Sequence, residues 1–118
     1  MKQYAIKKND GNKNVPVLMY DESTKTFTID IPKDVSEMEL PFMLALYAQK
    51  GVYHMNPEAS MKWVQSRIVP SSRQNIGEIL KNNSMKSYDE YRLLINVNGR
   101  CGQDDYYLER MSDKQEIG

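Results

Sequence analysis

One cysteine, one histidine, one tryptophan and two phenylalanines are all that this 118-residue chain holds of those types. A solitary Cys101 cannot close an internal disulfide. With His54 as its only soft companion it cannot build a zinc site either, since such sites take three or four ligands. The lone imidazole also constrains catalysis: any Ser–His or Cys–His pair must use His54, and its neighbours Tyr53 and Met55 supply neither an acid nor a nucleophile. Net charge is missing as well. Sixteen basic residues balance sixteen acidic ones, so no whole-molecule field gathers polyanions, and nucleic-acid binding is disfavoured.

Long apolar runs are absent. Leu40 to Ala48 is the longest mostly apolar stretch, about half of the ~20 residues a helical span requires. The N-terminus, Met-Lys-Gln-Tyr-Ala, lacks the apolar region of a signal peptide. The expectation is a soluble, cytoplasmic protein that makes no use of a membrane. Phosphate-cradling loops need more glycine than Gly99-Arg100-Cys101-Gly102 offers and a helix behind them, whereas a strand follows here. Asp104 and Asp105 are adjacent and on a strand point to opposite faces, so they do not converge on one metal or one glycosidic oxygen. Kinase elements are missing too. No enzyme is therefore expected, with no catalytic residue, no metal and no cofactor.

What is plentiful is methionine and tyrosine, eight of each. Side chains of this kind fill adaptable cores or form amphipathic contact surfaces. Length and composition fit one domain over residues 1–111, followed by a polar C-terminal tail, 112–118. The fold class is α+β. A short antiparallel N-terminal β-meander is expected over about 3–8, 15–20 and 26–31, from the period-two patterns of Tyr4/Ile6 and Phe27/Ile29/Ile31 and the turn-tolerant run Asn9-Asp10-Gly11-Asn12. Pro16 has no donor for a ladder, so the second strand begins there or lies at an edge.

Helices are expected over about 41–50, 57–68, 72–82 and 88–97, and a final strand over about 105–110 that can join the meander. Gly51 closes the first helix, and Asn56-Pro57-Glu58 starts the second with a cap, a proline that needs no donor and an acid in the first turn. Met61, Val64 and Ile68 share a face of it beside Trp63, and Pro70 stops it. Ser71-Ser72-Arg73-Gln74 and Ser87-Tyr88-Asp89-Glu90 read as capping boxes. Ile76, Ile79 and Leu80, then Tyr91, Leu94 and Ile95, face inward, and Asn98-Gly99 ends the last helix.

Arginine is the residue best suited to bidentate recognition of carboxylate or phosphate. Arg73 sits in the first turn of an expected helix, against the dipole preference, which calls for a compensating acid such as Asp89, Asp104 or Asp105, or an external anion. The candidate partner-binding residues are Trp63, Arg67, Arg73, Arg100 and Tyr106.

The stretch Trp63-Val64-Gln65-Ser66-Arg67-Ile68-Val69-Pro70-Ser71-Ser72-Arg73, the helix carrying Ile79-Leu80, and Gln103-Asp104-Asp105-Tyr106-Tyr107-Leu108 resemble the N-terminal accessory region of Firmicutes HipA-type kinases. The likeness covers roughly Val15 to Leu108. It departs where Val69 separates Ile68 from Pro70 and where Gly99 to Gly102 replaces a Leu-Ser segment. The chain ends where a kinase domain would begin, so the resemblance implies an accessory domain standing alone. It further implies a bacterial toxin-antitoxin role: a small subunit that binds and restrains a kinase or other enzyme. The expected function is a non-enzymatic protein-binding regulator, antitoxin-like or an inhibitor. The alternative is a phage or mobile-element protein that binds nucleic acid or a host defence complex, with Lys62, Arg67, Arg73, Lys81 and Lys86 as its basic face.

Overall fold

A strand that buries one face must alternate, and the first three strands do. A computed structural model describes residues 1–8 and 14–111 and places β1 at Lys2–Lys7, β2 at Val17–Asp21 and β3 at Thr26–Asp30, joined as the expected antiparallel meander. The expected turn at 9–12 and the tail 112–118 lie outside the described residues. A two-residue strand, β4 at His54–Met55, adds to the far edge of β3 with no counterpart in the sequence-based expectation. β5, Tyr107–Arg110, returns to pair antiparallel with β1. The sheet order is β4-β3-β2-β1-β5. Pro16 lies just before β2 and its carbonyl accepts the Ile6 N–H at 2.9 Å. β2 therefore begins after the proline but is an interior strand.

Register puts Met55, Ile29, Leu18 and Tyr4 in one row on the inner face, with Phe27, Tyr20 and Ile6 beside them. All seven are buried. A slip of one residue would turn the whole set to solvent, so burial fixes the pairing. Four helices contribute the rest: α1 Phe42–Gln49, α2 Pro57–Gln65, α3 Ile76–Asn82 and α4 Glu90–Asn96. α2 packs on β3 through Ala59, Trp63 and Val64, and α4 sends in Leu94. The Tyr20 and Tyr91 rings stack at 4.0 Å, and the Tyr91 and Tyr4 hydroxyls share a hydrogen bond of 2.5 Å. Burial pushes the Tyr4 phenol above its ordinary range.

Neither expected capping box forms. α3 starts at Ile76 instead of near Ser72, behind Asn75, and the stretch 71–75 is occupied by turns. α4 is capped by Asp89, whose carboxylate accepts the Arg92 N–H at 3.1 Å, and not by Ser87. Asn56 caps α2 as expected, accepting from the Ala59 N–H at 2.8 Å. α3 also buries less than expected: Ile76, Ile79 and Leu80 are only half-buried. Short helices with one weak face gain most of their stability from packing, so sequence caps alone do not set their ends.

α4 stops where Asn98 and Gly99 turn left-handed at φ 54° and 70°. Gly99 has a second reason to be glycine. A Cβ there would lie 2.4 Å from Leu108 Cγ, a buried side chain of β5. Gly99→Ala should destabilise the fold by about 2–4 kcal/mol through overpacking and a strained φ. Gly102→Ala in the same loop, where a Cβ meets nothing within 4 Å, should stay within about 0.5 kcal/mol. Urea denaturation of the two variants compares them directly.

Candidate functional site

The residues singled out as contacts divide between interior and surface. Trp63, Arg67 and Tyr106 are 2%, 7% and 6% exposed. They come together at the C-terminal end of α2, against the loop that leads into β5. Arg73 and Arg100 are exposed and outside that group. Trp63 and Arg67 present almost no surface to a partner, so the expectation that they form an outward contact is corrected to an interior role.

Arg67 is the hub. Its Nε donates to the Gly99 carbonyl at 2.6 Å, and its two terminal nitrogens donate to the two Asp104 oxygens at 2.8 and 2.9 Å. A further bond reaches the Tyr106 carbonyl at 3.0 Å. Asp104 in turn accepts the Tyr106 N–H at 3.0 Å. The guanidinium lies 4.9 Å from the Trp63 ring, so it is stacked as well as forked. A buried cation is tolerated only when its donors are matched. Here backbone carbonyls and one carboxylate match four of its five N–H groups. The Arg67 hydrogen bonds hold the Asp104 carboxyl below its usual range, against the opposing effect of its partial burial.

This arrangement also answers the question raised by Arg73. Of the acids offered to it, Asp104 is taken by Arg67 and Asp89 caps its own helix. Arg73 instead occupies the turn before α3, with its N–H on the Pro70 carbonyl at 3.1 Å. Because α3 starts later than expected, the conflict with the helix dipole does not arise. Arg100 lies 4.8 Å from the Tyr107 ring.

Groups that could carry chemistry are spread out. His54, on β4, places Nδ1 2.5 Å from an Asp30 oxygen, and both side chains are more than half exposed. Cys101 is half-buried and lines a cleft of about 150 Å³ between the start of α1, the end of α2 and the 100–104 loop. Among the described residues, no three His, Cys, Asp or Glu side chains are grouped to hold a metal ion. No helix among them is long and apolar enough to cross a membrane.

Sequence reasoning misses the surface that stands out. α1 reads Phe-Met-Leu-Ala-Leu-Tyr-Ala-Gln without a charge. A helix apolar all round is normally enclosed. This one buries Leu44 and Ala45 but leaves Phe42 79% and Leu46 39% exposed, one turn apart. The 3₁₀ turn Glu37–Glu39 packs alongside, tied by the Gln49 amide to the Glu37 carboxylate at 2.9 Å, and carries Met38 at 86% exposure. The available signal is the uncharged run from Leu40 to Ala48, which by itself suggests only a buried helix.

No family model, curated protein or solved structure matches the chain.

Asp104→Asn keeps the shape of the hub and removes the charge facing a guanidinium whose side chain is 3% exposed. We expect a loss of about 2–4 kcal/mol at neutral pH in urea melts. Since the folded Asp104 pKa is lowered, its contribution is complete above the unfolded value of about 3.9 and is lost as pH falls through the folded one. The advantage of wild type over Asp104→Asn should therefore be full at neutral pH and shrink as pH falls below about 3.9, and acid unfolding followed by circular dichroism should begin at higher pH in the variant than in wild type.

Proposed function

We propose that this chain is a non-enzymatic protein-binding regulator, antitoxin-like or inhibitory, that meets its partner through the outer face of α1. The observation that carries the reading is the exposed Phe42, flanked by Leu46 and Met38. A protein gains nothing in solution by leaving an aromatic ring in water, whereas contact surfaces are enriched in aromatic residues and methionine. The ring is anchored on a helix whose opposite side is core, so it is presented rigidly and little ordering is required on binding.

The resemblance to the accessory region of HipA-type kinases makes a kinase of that class the first partner to try. Such a partner would be restrained by occupancy of its surface, without chemistry from this chain. A nucleic-acid role draws less support: Arg67, one of the five cations of the supposed basic face, spends its donors inside the domain. α3, which would have to serve as one of its reading elements, is seven residues long.

The test is a binding titration against a purified HipA-type kinase, with kinase activity read in parallel. Phe42→Asp should weaken binding and inhibition by about 30-fold or more, the loss of one hot-spot side chain worth ~2 kcal/mol. Arg73→Ala should change either by less than about threefold. Binding that is indifferent to Phe42→Asp would assign the contact elsewhere. Phosphoryl transfer or hydrolysis by the isolated chain would remove the non-enzymatic reading.

A further inference from the structure

α3 has the weakest hold on the domain. It buries no residue, and Ile76, Ile79 and Leu80 are only half-buried. The close packing of α2 on β3 and of α4 on α2 leaves it out. Asn75, at its start, gives no side-chain cap. Two clefts undercut the segment. One of about 220 Å³ is lined by Ile79 and Asn83 together with Ile68, Val69, Leu93 and Val97. The other, of about 300 Å³, is lined by Pro70 and Ser71 together with Gln65, Tyr88 and Glu90. Walls that face open space forgo the dispersion contacts of a filled core.

Fixed points lie just outside this stretch. The Tyr88 hydroxyl donates to the Val69 carbonyl at 2.6 Å, and Met85 is buried. Between them the backbone satisfies itself locally: the N–H of Arg73 bonds to Pro70, that of Ile76 to Arg73, that of Ile79 to Asn75 and that of Ser84 to Lys81. Among the described residues, apart from the Met85 N–H on the Leu80 carbonyl, the hydrogen bond that ties the stretch to the rest is the Asn96 amide on the Asn83 side-chain oxygen, exposed and 3.2 Å long. The ion pairs among the described residues do not involve Arg73, Glu78 or Lys81. Ser84 holds φ at 58°, the left-handed region that a residue with a Cβ enters only at a cost. We infer that residues 70–84 form a flap that lifts from the intact domain as one unit, turning about Pro70 and Ser84 and uncovering Ile68, Val69 and Leu93.

Lifting breaks no strand pairing and none of the four Arg67 hydrogen bonds, so the sheet and the hub stay closed. A seven-residue helix is marginal without packing, so undocking and melting of α3 go together. Openings of this kind belong to stretches with few buried apolar contacts and exposed backbone hydrogen bonds. The uncovered strip lies on α4 and the end of α2, apart from the α1 face. The flap is therefore independent of the contact role proposed for α1, and it gives the chain a second apolar surface that exists only in the open form.

Amide hydrogen exchange of the full chain, followed by NMR at rising urea, tests this. After correction for intrinsic rates, the amides of 80–84 should exchange about 100-fold or more faster than those of β2, with a shallower urea dependence because opening exposes little surface. Ile29→Val, in the sheet, weakens the closed and open forms alike. It should speed exchange in β2 about threefold or more and leave 80–84 unchanged. Leu80→Pro breaks the helix; it should abolish protection in 76–84 while the sheet stays folded, and the variant should bind more of the apolar dye ANS than wild type. Protection and urea dependence in 80–84 equal to those of β2, or equal acceleration of both by Ile29→Val, would overturn the inference. So would exchange of 80–84 at the unfolded rate in wild type, which leaves no closed form, and so would outright unfolding of Leu80→Pro or dye binding by it no greater than that of wild type.

Discussion

A guanidinium withdrawn from water has to find oxygen for its N–H groups, and that demand organises the C-terminal half of this domain. Arg67 leaves the end of α2 and gathers the Gly99 carbonyl, both Asp104 oxygens and the Tyr106 carbonyl. Those acceptors come from the end of α4, the connecting loop and the approach to β5, stretches with little regular structure of their own. Once Asp104 is held, its second role follows, because the oxygen that takes an Arg67 proton also takes the Tyr106 N–H. β5 is then delivered beside β1 with Leu108 turned inward over the bare Cα of Gly99. An ion pair at the surface would do little of this. Removing one partner of an enclosed pair leaves an uncompensated charge, and the penalty is several times larger.

The strands are legible for a physical reason. Period-two alternation and prolines at strand boundaries act within a few residues, and Tyr4/Ile6 or Phe27/Ile29 carry that pattern in full. β4 is not legible, because two residues hold no period; His54–Met55 become a strand through pairing with Ile29 and Asp30. Helix ends depart from expectation where local rules compete with packing. Ser71 and Ser87 have the cap chemistry, yet Asn75 and Asp89 stand where the packed helices start. The hub is half legible. Arg67 and Asp104 both stand out as residues in need of partners, but 37 positions separate them, and nothing in a sequence says whether an arginine faces water or carbonyls.

Those same positions are the ones from which the sequence alone suggests a resemblance to the HipA-type accessory region. Trp63, Arg67, Asp104, Tyr106 and Leu108 are the residues of the hub and of the strand it delivers. Residues that satisfy a buried cation answer to the interior, whatever the outer surface does. Motifs made of such residues therefore report how an interior is closed, and function has to be argued from a site. The surface proposed for contact lies elsewhere, on α1 and the turn before it.

The two regions meet at one boundary. Arg67, Asp104 and Trp63 form a wall of the cleft beside Phe42, so the hub that fixes β5 also shapes the recess next to the exposed ring. Four of the five Arg67 N–H groups are held by Gly99, Asp104 and Tyr106, so this wall offers little to an anion. Loosening the hub would blur the recess before it altered α1, whose inner side is secured separately by Leu44 and Ala45 in the core. A buried ion pair and an exposed aromatic ring are thus neighbours, the first giving shape to the cleft that the second lines.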